Sequence, residues 1–154
     1  MLGLPIRSVI EPRKLVVAAP ETNVAEAAKL MKRNRVGAVL FVEQGRLVGI
    51  FTERDAVFRV MARGRDPKST ALREVMTREP TTVAPEETFG HALLVMYENG
   101  FRHLPVVDDN RAIGVISARH ALDPDLEEFA VEASRRRHLS RASSGRPTRS
   151  APGR

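Results

Sequence analysis

Residues 49–55 read GIFTERD, and residues 114–120 read GVISARH. Both stretches carry a glycine, two β-prone apolar residues, a hydroxyl residue and an arginine at matched places. They part at the end, where Asp55 corresponds to His120. Extending the register backwards keeps it: Pro20 meets Pro85, Glu21 meets Glu86, Ala27 meets Ala92, Met31 meets Met96 and Asn34 meets Asn99, with Arg46 on Arg111 and Ala56 on Ala121. An ungapped register of that length, with apolar positions matched between the identities, is a duplication, and a duplication sets the architecture before local propensity does.

Each copy reads as strand, helix, strand, strand, helix. The runs 15–18 and 81–83 are short strands stopped by Pro20 and Pro85, which have no N–H to give to a ladder. Asn23 followed by Glu26 is a helix start, and the apolar stripe of Val24, Ala27, Ala28, Leu30 and Met31 predicts a helix to about residue 34. Its counterpart carries Phe89, Ala92, Leu93, Val95 and Met96 and stops at Asn99-Gly100, where glycine supplies the left-handed cap. AVLFV at 38–42 and LPVV at 104–107, each followed by a polar turn and a second apolar run, predict hairpins buried on both faces. A short helix with Val57, Val60 and Met61 as its apolar side follows in the first copy. The expected organisation is a first unit at 6–63 with its N-terminal lead-in, a linker at 64–74, a second unit at 75–122, a C-terminal helix at 123–138 and a disordered basic tail at 139–154. Asp123-Pro124 opens that last helix, Arg135 to Arg137 close it in keeping with the macrodipole, and Phe129 is its natural anchor.

With 154 residues, 42% of them hydrophobic, the chain can bury a core of ordinary domain size. The formal charge of +6 sits in the tail, where seven arginines and no acid follow residue 132, so the remainder is near neutral. A solvated extension is the plain reading of that tail; a weak, salt-sensitive contact with nucleic acid is the alternative, although no aromatic residue is interleaved for base stacking. The absence of cysteine excludes disulfides, thiolate metal sites and a cysteine nucleophile. His91, His103, His120 and His138 lack metal-ligand spacing, so no metal is expected. No secretion leader is expected in the opening residues, and no run approaches the roughly 20 apolar residues of a membrane span. The expectation is a soluble, cytoplasmic protein with no membrane association.

Thr52 and Asp55, three residues apart between a strand and a helix, form a capping box in which each side chain meets an orphan backbone N–H. Ser117 can cap in the same way, with His120 a weaker partner. The same geometry has a second reading. A helix N-terminus at the end of buried strands presents N–H groups and a positive dipole that favour a phosphate, and an ionised Asp55, acceptor-only with two oxygens, suits a pair of ribose hydroxyls.

The β-α-β-β-α order, the HLPVV run followed by an acid, and the repeated glycine, apolar pair, Thr or Ser, and Asp pattern resemble the cystathionine β-synthase (CBS) domain, which occurs as tandem pairs. The resemblance spans residues 6–122. It implies an α/β (α+β) fold of two tandem β-α-β-β-α units related by a pseudo-two-fold axis, forming one compact Bateman module with two clefts, and many such pairs form homodimers. In that family the clefts bind adenosyl ligands such as AMP, ADP, ATP or S-adenosylmethionine. Carried over by position, the first cleft takes Ile50, Thr52, Arg54 and Asp55 from the first unit, and Thr77, Pro80, Thr81, Phe101, Arg102 and His103 from the second. A surface salt bridge is the other reading of Arg102. The second cleft takes Val115, Ser117, Arg119 and His120, with the segment near Val9, Ile10 and Leu15. It departs from the pattern at His120: neutral imidazole has one donor and one acceptor on opposite edges and cannot chelate two adjacent hydroxyls. One nucleotide cleft and one weaker cleft are therefore expected.

Three function classes stand at this point. The first is a stand-alone regulatory module that senses an adenosyl ligand; the second is a dimerising scaffold in which Thr52 and Asp55 only cap; the third, an enzyme, ranks last. No nucleophile–base pair, glycine-rich phosphate loop or carboxylate pair stands at motif spacing, so no catalytic residue is assigned. A homodimer is expected to use an apolar helical face built around Leu30 and Met96.

Overall fold

Each copy begins with a helix whose first turn is fixed by its cap. Asn23 accepts from the Glu26 N–H at 2.9 Å and starts α1 (Val24–Asn34); Thr88 accepts from the His91 N–H at 3.2 Å and starts α3 (Phe89–Asn99). Both helices end on a left-handed residue, Arg35 at φ 55° and Gly100 at φ 69°. The next amide then reaches back, Val36 N–H to Met31 and Phe101 N–H to Met96. The computed structural model describes residues 2–10 and 15–121. The chain divides into two units, Met1–Ala118 and Arg119–Arg154, the second described only at 119–121. The expected C-terminal helix, with Phe129, and the basic tail lie outside the described residues.

The first unit contains both repeats. In the first, β1 (Val17–Ala18) runs parallel to β2 (Ala38–Glu43), which pairs antiparallel with β3 (Arg46–Thr52), and β3 pairs antiparallel with β4 (Thr77–Arg78). In the second, Val83 bridges Val106 in parallel, and β5 (His103–Asp108) pairs antiparallel with β6 (Arg111–Ser117). Both hairpins turn on two residues of positive φ, Gln44-Gly45 and Asp109-Asn110, the twist a two-residue hairpin needs. Both shift register at the matched place, after Phe41 and after Val106.

Between α1 and its sheet lie Ala27, Met31, Val39, Phe41 and Phe51, all buried. A second cluster of Ala38, Leu40 and Ile50 packs with Leu47, Ala112 and Val115, so the two hairpins meet through β3 and β6. Leu15 joins this cluster as well.

Segments cross between the repeats. After the first repeat the chain makes a 3-10 turn, Leu72–Glu74, whose Leu72 and Arg73 amides donate to Thr22 and Pro20 of the first repeat. The lead-in does the same beneath the second: in the turn Ile6–Ser8, the Ile6 and Arg7 amides donate to Glu87 and Pro85. Ion pairs repeat too, Arg73 with Glu21 at 3.3 Å and Arg7 with Glu86 at 2.6 Å, and Arg7 adds Asp108 at 2.9 Å.

Two expectations about surfaces need correction. Met96 does not build an exposed helical face, because it is buried in the core under α3, and Leu30 is half-buried against the first cluster. Only Val60 of the expected stripe Val57, Val60 and Met61 is buried; Val57 and Met61 are exposed, as are Phe58, Leu94 and Tyr97. The reason lies in the backbone: after the single turn α2 (Glu53–Asp55) the chain widens into a π-helical run, Ala56–Met61, which does not keep the face that a spacing of 3.6 predicts.

Candidate functional site

The site grows from the end of β3. Thr52 is extended, and the chain turns at once into α2 because Thr52 and Asp55 close the box: Asp55 N–H donates to Thr52 Oγ1 at 3.3 Å, and Thr52 N–H donates to Asp55 Oδ2 at 2.9 Å. The Thr52 hydroxyl also lies 3.0 Å from Asp55 Oδ2. The other carboxylate oxygen, Oδ1, is 3.3 Å from Arg59 Nε. Oδ2 thus accepts two hydrogen bonds, and Oδ1 is held in an ion pair. The side chain is only 14% exposed.

A cleft of about 870 Å3 lies in front of this turn. The first repeat supplies Ile50, Thr52, Arg54 and Asp55 to its lining; the start of the second supplies Thr77, Pro80 and Thr81, and the turn between α3 and β5 supplies Phe101, Arg102 and His103. Thus all ten positions assigned to the first cleft line one cavity. Local packing explains how they come together. Thr77 pairs with Ile50 through β4 and β3. Arg54 reaches across to the second repeat, donating from Nη1 to the Gly100 carbonyl at 3.2 Å, with its guanidinium 5.3 Å from the Phe58 ring centre. His103 lies over Gly37, where an added Cβ would stand 2.8 Å from its Nε2.

Two of the helix N–H groups expected to favour a phosphate are engaged within the protein. Glu53 N–H donates to the Gly37 carbonyl at 2.9 Å and Asp55 N–H to Thr52, so the turn satisfies these amides itself. Positive charge in the cleft comes from the side chains of Arg54, Arg59 and Arg102 against Glu53 and Asp55.

Sequence reasoning missed Arg59, Phe58, Glu53 and Asn99 among the lining residues. Arg59 had a readable signal, since an acid and a base four apart on a helix are neighbours. Phe58 had none, because the π-helical run moves it off the α-helical wheel. Of the second expected cleft, Val115 and Ser117 lie on β6, Val115 packing into the cluster between the hairpins, and Ile10 packs against Gly114. Arg119 and His120 fall in the second unit, within the 3-10 turn Ala118–Ala121. Among the described residues no group of three or more His, Cys, Asp or Glu is placed to hold a metal, and no helix is long and apolar enough to cross a membrane.

The CBS domain family matches twice, at residues 6–62 and 72–125. The chain belongs to this family. It is 38% identical over 104 residues to the CBS domain-containing protein YhcV of Bacillus subtilis, a match covering 68% of this chain and 74% of that protein. Relatives differ in length: the chain spans 61% of a Methanopyrus kandleri protein and 16% of the meiotically up-regulated gene 70 protein of Schizosaccharomyces pombe. Among solved structures, the CBS domain protein PAE2072 of Pyrobaculum aerophilum, complexed with AMP, superposes with a TM-score of 0.69 at 24% identity, over 76% of this chain and 89% of that one. The CBS domain pair of MJ0100, in complex with 5′-methylthioadenosine and S-adenosyl-L-methionine, gives 0.72 at 23% identity, over 81% and 98%. At these identities the likeness is one of fold, that of a tandem CBS pair. No catalytic family is indicated.

Proposed function

We propose that this chain is a regulatory CBS pair whose cleft binds an adenine nucleotide or another adenosyl ligand without turning it over. The observation that carries this reading is a cleft lined by both repeats, of a size usual for small-molecule sites. Its apolar wall of Ile50, Pro80 and Phe101 suits a flat base, the hydroxyls of Thr52, Thr77 and Thr81 with Asp55 suit a sugar, and Arg54 and Arg102 suit an anionic group. AMP in PAE2072 and the adenosyl ligands of MJ0100, both on the same fold, support this ligand class. The strand end carrying Ser117 and His120 is the weaker partner, since imidazole offers one acceptor where a carboxylate offers several.

The test is calorimetric titration of AMP, ADP, ATP and S-adenosylmethionine into the full chain. At least one ligand is expected to bind at one strong site per chain. Asp55→Ala is expected to weaken it by about 1–3 kcal/mol through lost charge-assisted hydrogen bonds, and His120→Ala to change it little. Two equal sites, or binding untouched by Asp55→Ala, refute the reading. The module is further proposed to act as a homodimer through the exposed apolar residues Val57, Phe58, Met61 and Tyr97; a monomer by light scattering at micromolar concentration would refute that.

A further inference from the structure

Arg59 lines the cleft and holds an acid of the same cleft. Its Nε stands 3.3 Å from Asp55 Oδ1, and its Nη1 donates to the Val75 carbonyl at 3.0 Å. The two contacts fix two walls at once: Asp55 ends α2, and Val75 lies two residues before Thr77 of β4, which pairs with Ile50. Asp55 is 14% exposed and Arg59 41%, so the pair is shielded on the carboxylate side and wet on the other, and solvent weakens it without abolishing it.

The charge count follows. With Asp55 matched by Arg59, the remaining ionised groups of the lining are Arg54 and Arg102 against Glu53, which is net positive. Remove the Arg59 charge and the lining becomes balanced, with an uncompensated carboxylate beside the ligand. We infer that Arg59 is a positioning residue that sets the charge of the cleft: its ion pair offsets the Asp55 carboxylate, and it makes the cleft favour a ligand with an anionic 5′ group over one with a cationic 5′ group. This rests on the adenosyl reading above and deepens it.

AMP, adenosine and S-adenosylmethionine share the nucleoside and differ at the 5′ carbon, which carries a phosphate, a hydroxyl and a sulfonium respectively. Ratios of their affinities therefore report 5′ charge and cancel what the base and sugar contribute. The experiment is calorimetric titration of all three into the full chain, wild type, Arg59→Gln, Arg59→Lys and Asp55→Asn, with melting curves to verify folding. Wild type is expected to prefer AMP to S-adenosylmethionine. Arg59→Gln should lower that preference about tenfold, the effect of roughly one decade expected for one partly shielded charge, while Arg59→Lys keeps it within about threefold because the charge remains. Asp55→Asn should move the preference the opposite way, which keeps the inference testable if Arg59→Gln does not fold. An unchanged preference in Arg59→Gln, or an equal loss for all three ligands, overturns the inference while leaving the adenosyl reading standing. Silence of the wild type towards all three overturns that reading, and the inference with it.

Discussion

Beneath the first repeat Met76 lies against Gly49, and beneath the second Ile10 lies against Gly114. The crossing segments make the same backbone bonds, the same kind of ion pair and the same 3-10 turn, so each repeat is completed by a strip of chain that precedes the other. The ends of the two central strands differ. Thr52 leads into a capping box and the helical residues 53–61, whereas among the described residues Ser117 leads into the 3-10 turn Ala118–Ala121. The crossings keep the same backbone bonds while their side chains differ, and the strand ends differ in chemistry at Asp55 and His120.

The comparison breaks most severely if the two crossings are unequal. Ile6 and Leu72 are matched and both fully buried. Truncating either, Ile6→Ala or Leu72→Ala, should cost about 2–5 kcal/mol by denaturant unfolding. A negligible loss for Ile6→Ala would mean that the lead-in is not part of the second repeat's core.

Next come the glycines. A Cβ on Gly49 would stand 2.6 Å from Met76 Sδ and 3.1 Å from the Thr77 carbonyl, whereas one on Gly114 meets Ile10 Cδ1 at 3.0 Å. Gly49→Ala should cost about 1–3 kcal/mol of overpacking, and Gly114→Ala less, since only a side chain has to move. Equal losses would show that the bulk at the two crossings yields alike.

The helix ends offer a smaller contrast. Arg35 occupies the left-handed position that Gly100 fills in the other repeat. Arg35→Gly should raise stability, and Gly100→Ala lower it, each by about 1 kcal/mol in thermal melts. A loss on Arg35→Gly would mean that its side chain contributes more than the left-handed backbone costs.

The smallest effect is one of pH. The Ala71 N–H and then Arg65 hold the Glu74 carboxyl below the ordinary glutamate range, and Glu74 caps the linker turn. The matched lead-in turn uses the Ser8 hydroxyl, donating to the Pro5 carbonyl, which does not titrate. A carboxyl whose pKa is depressed on folding stabilises above its unfolded value and loses that contribution as pH falls through the folded value. Melting temperatures of the wild type should therefore fall slightly more on acidification below the glutamate range than those of Glu74→Gln. Parallel curves would remove Glu74 from the account.

Much of the candidate site was legible because it rides on the repeat. The ten assigned positions line one cleft since strand ends and their flanking turns are set by a register that runs through identities such as Gly49 with Gly114. Phe58 was not, because its placement depends on a π-helical run that leaves no mark on apolar spacing. Met96 was misassigned to the surface for a related reason: an apolar stripe tells that one face of a helix is buried, not which neighbour covers it.

The sequence by itself determined the duplication, the helix start at Asn23, the hairpins and the chemical difference between Asp55 and His120, since these rest on local caps, turns and periodicity that residue types encode directly. Tertiary structure alone decided that residues 6–10 complete the second repeat and 72–76 the first, and that Arg54 reaches across to the Gly100 carbonyl of the second repeat. Those outcomes depend on contacts between residues far apart in the chain, where packing and partner geometry choose among arrangements that local sequence leaves equally favourable.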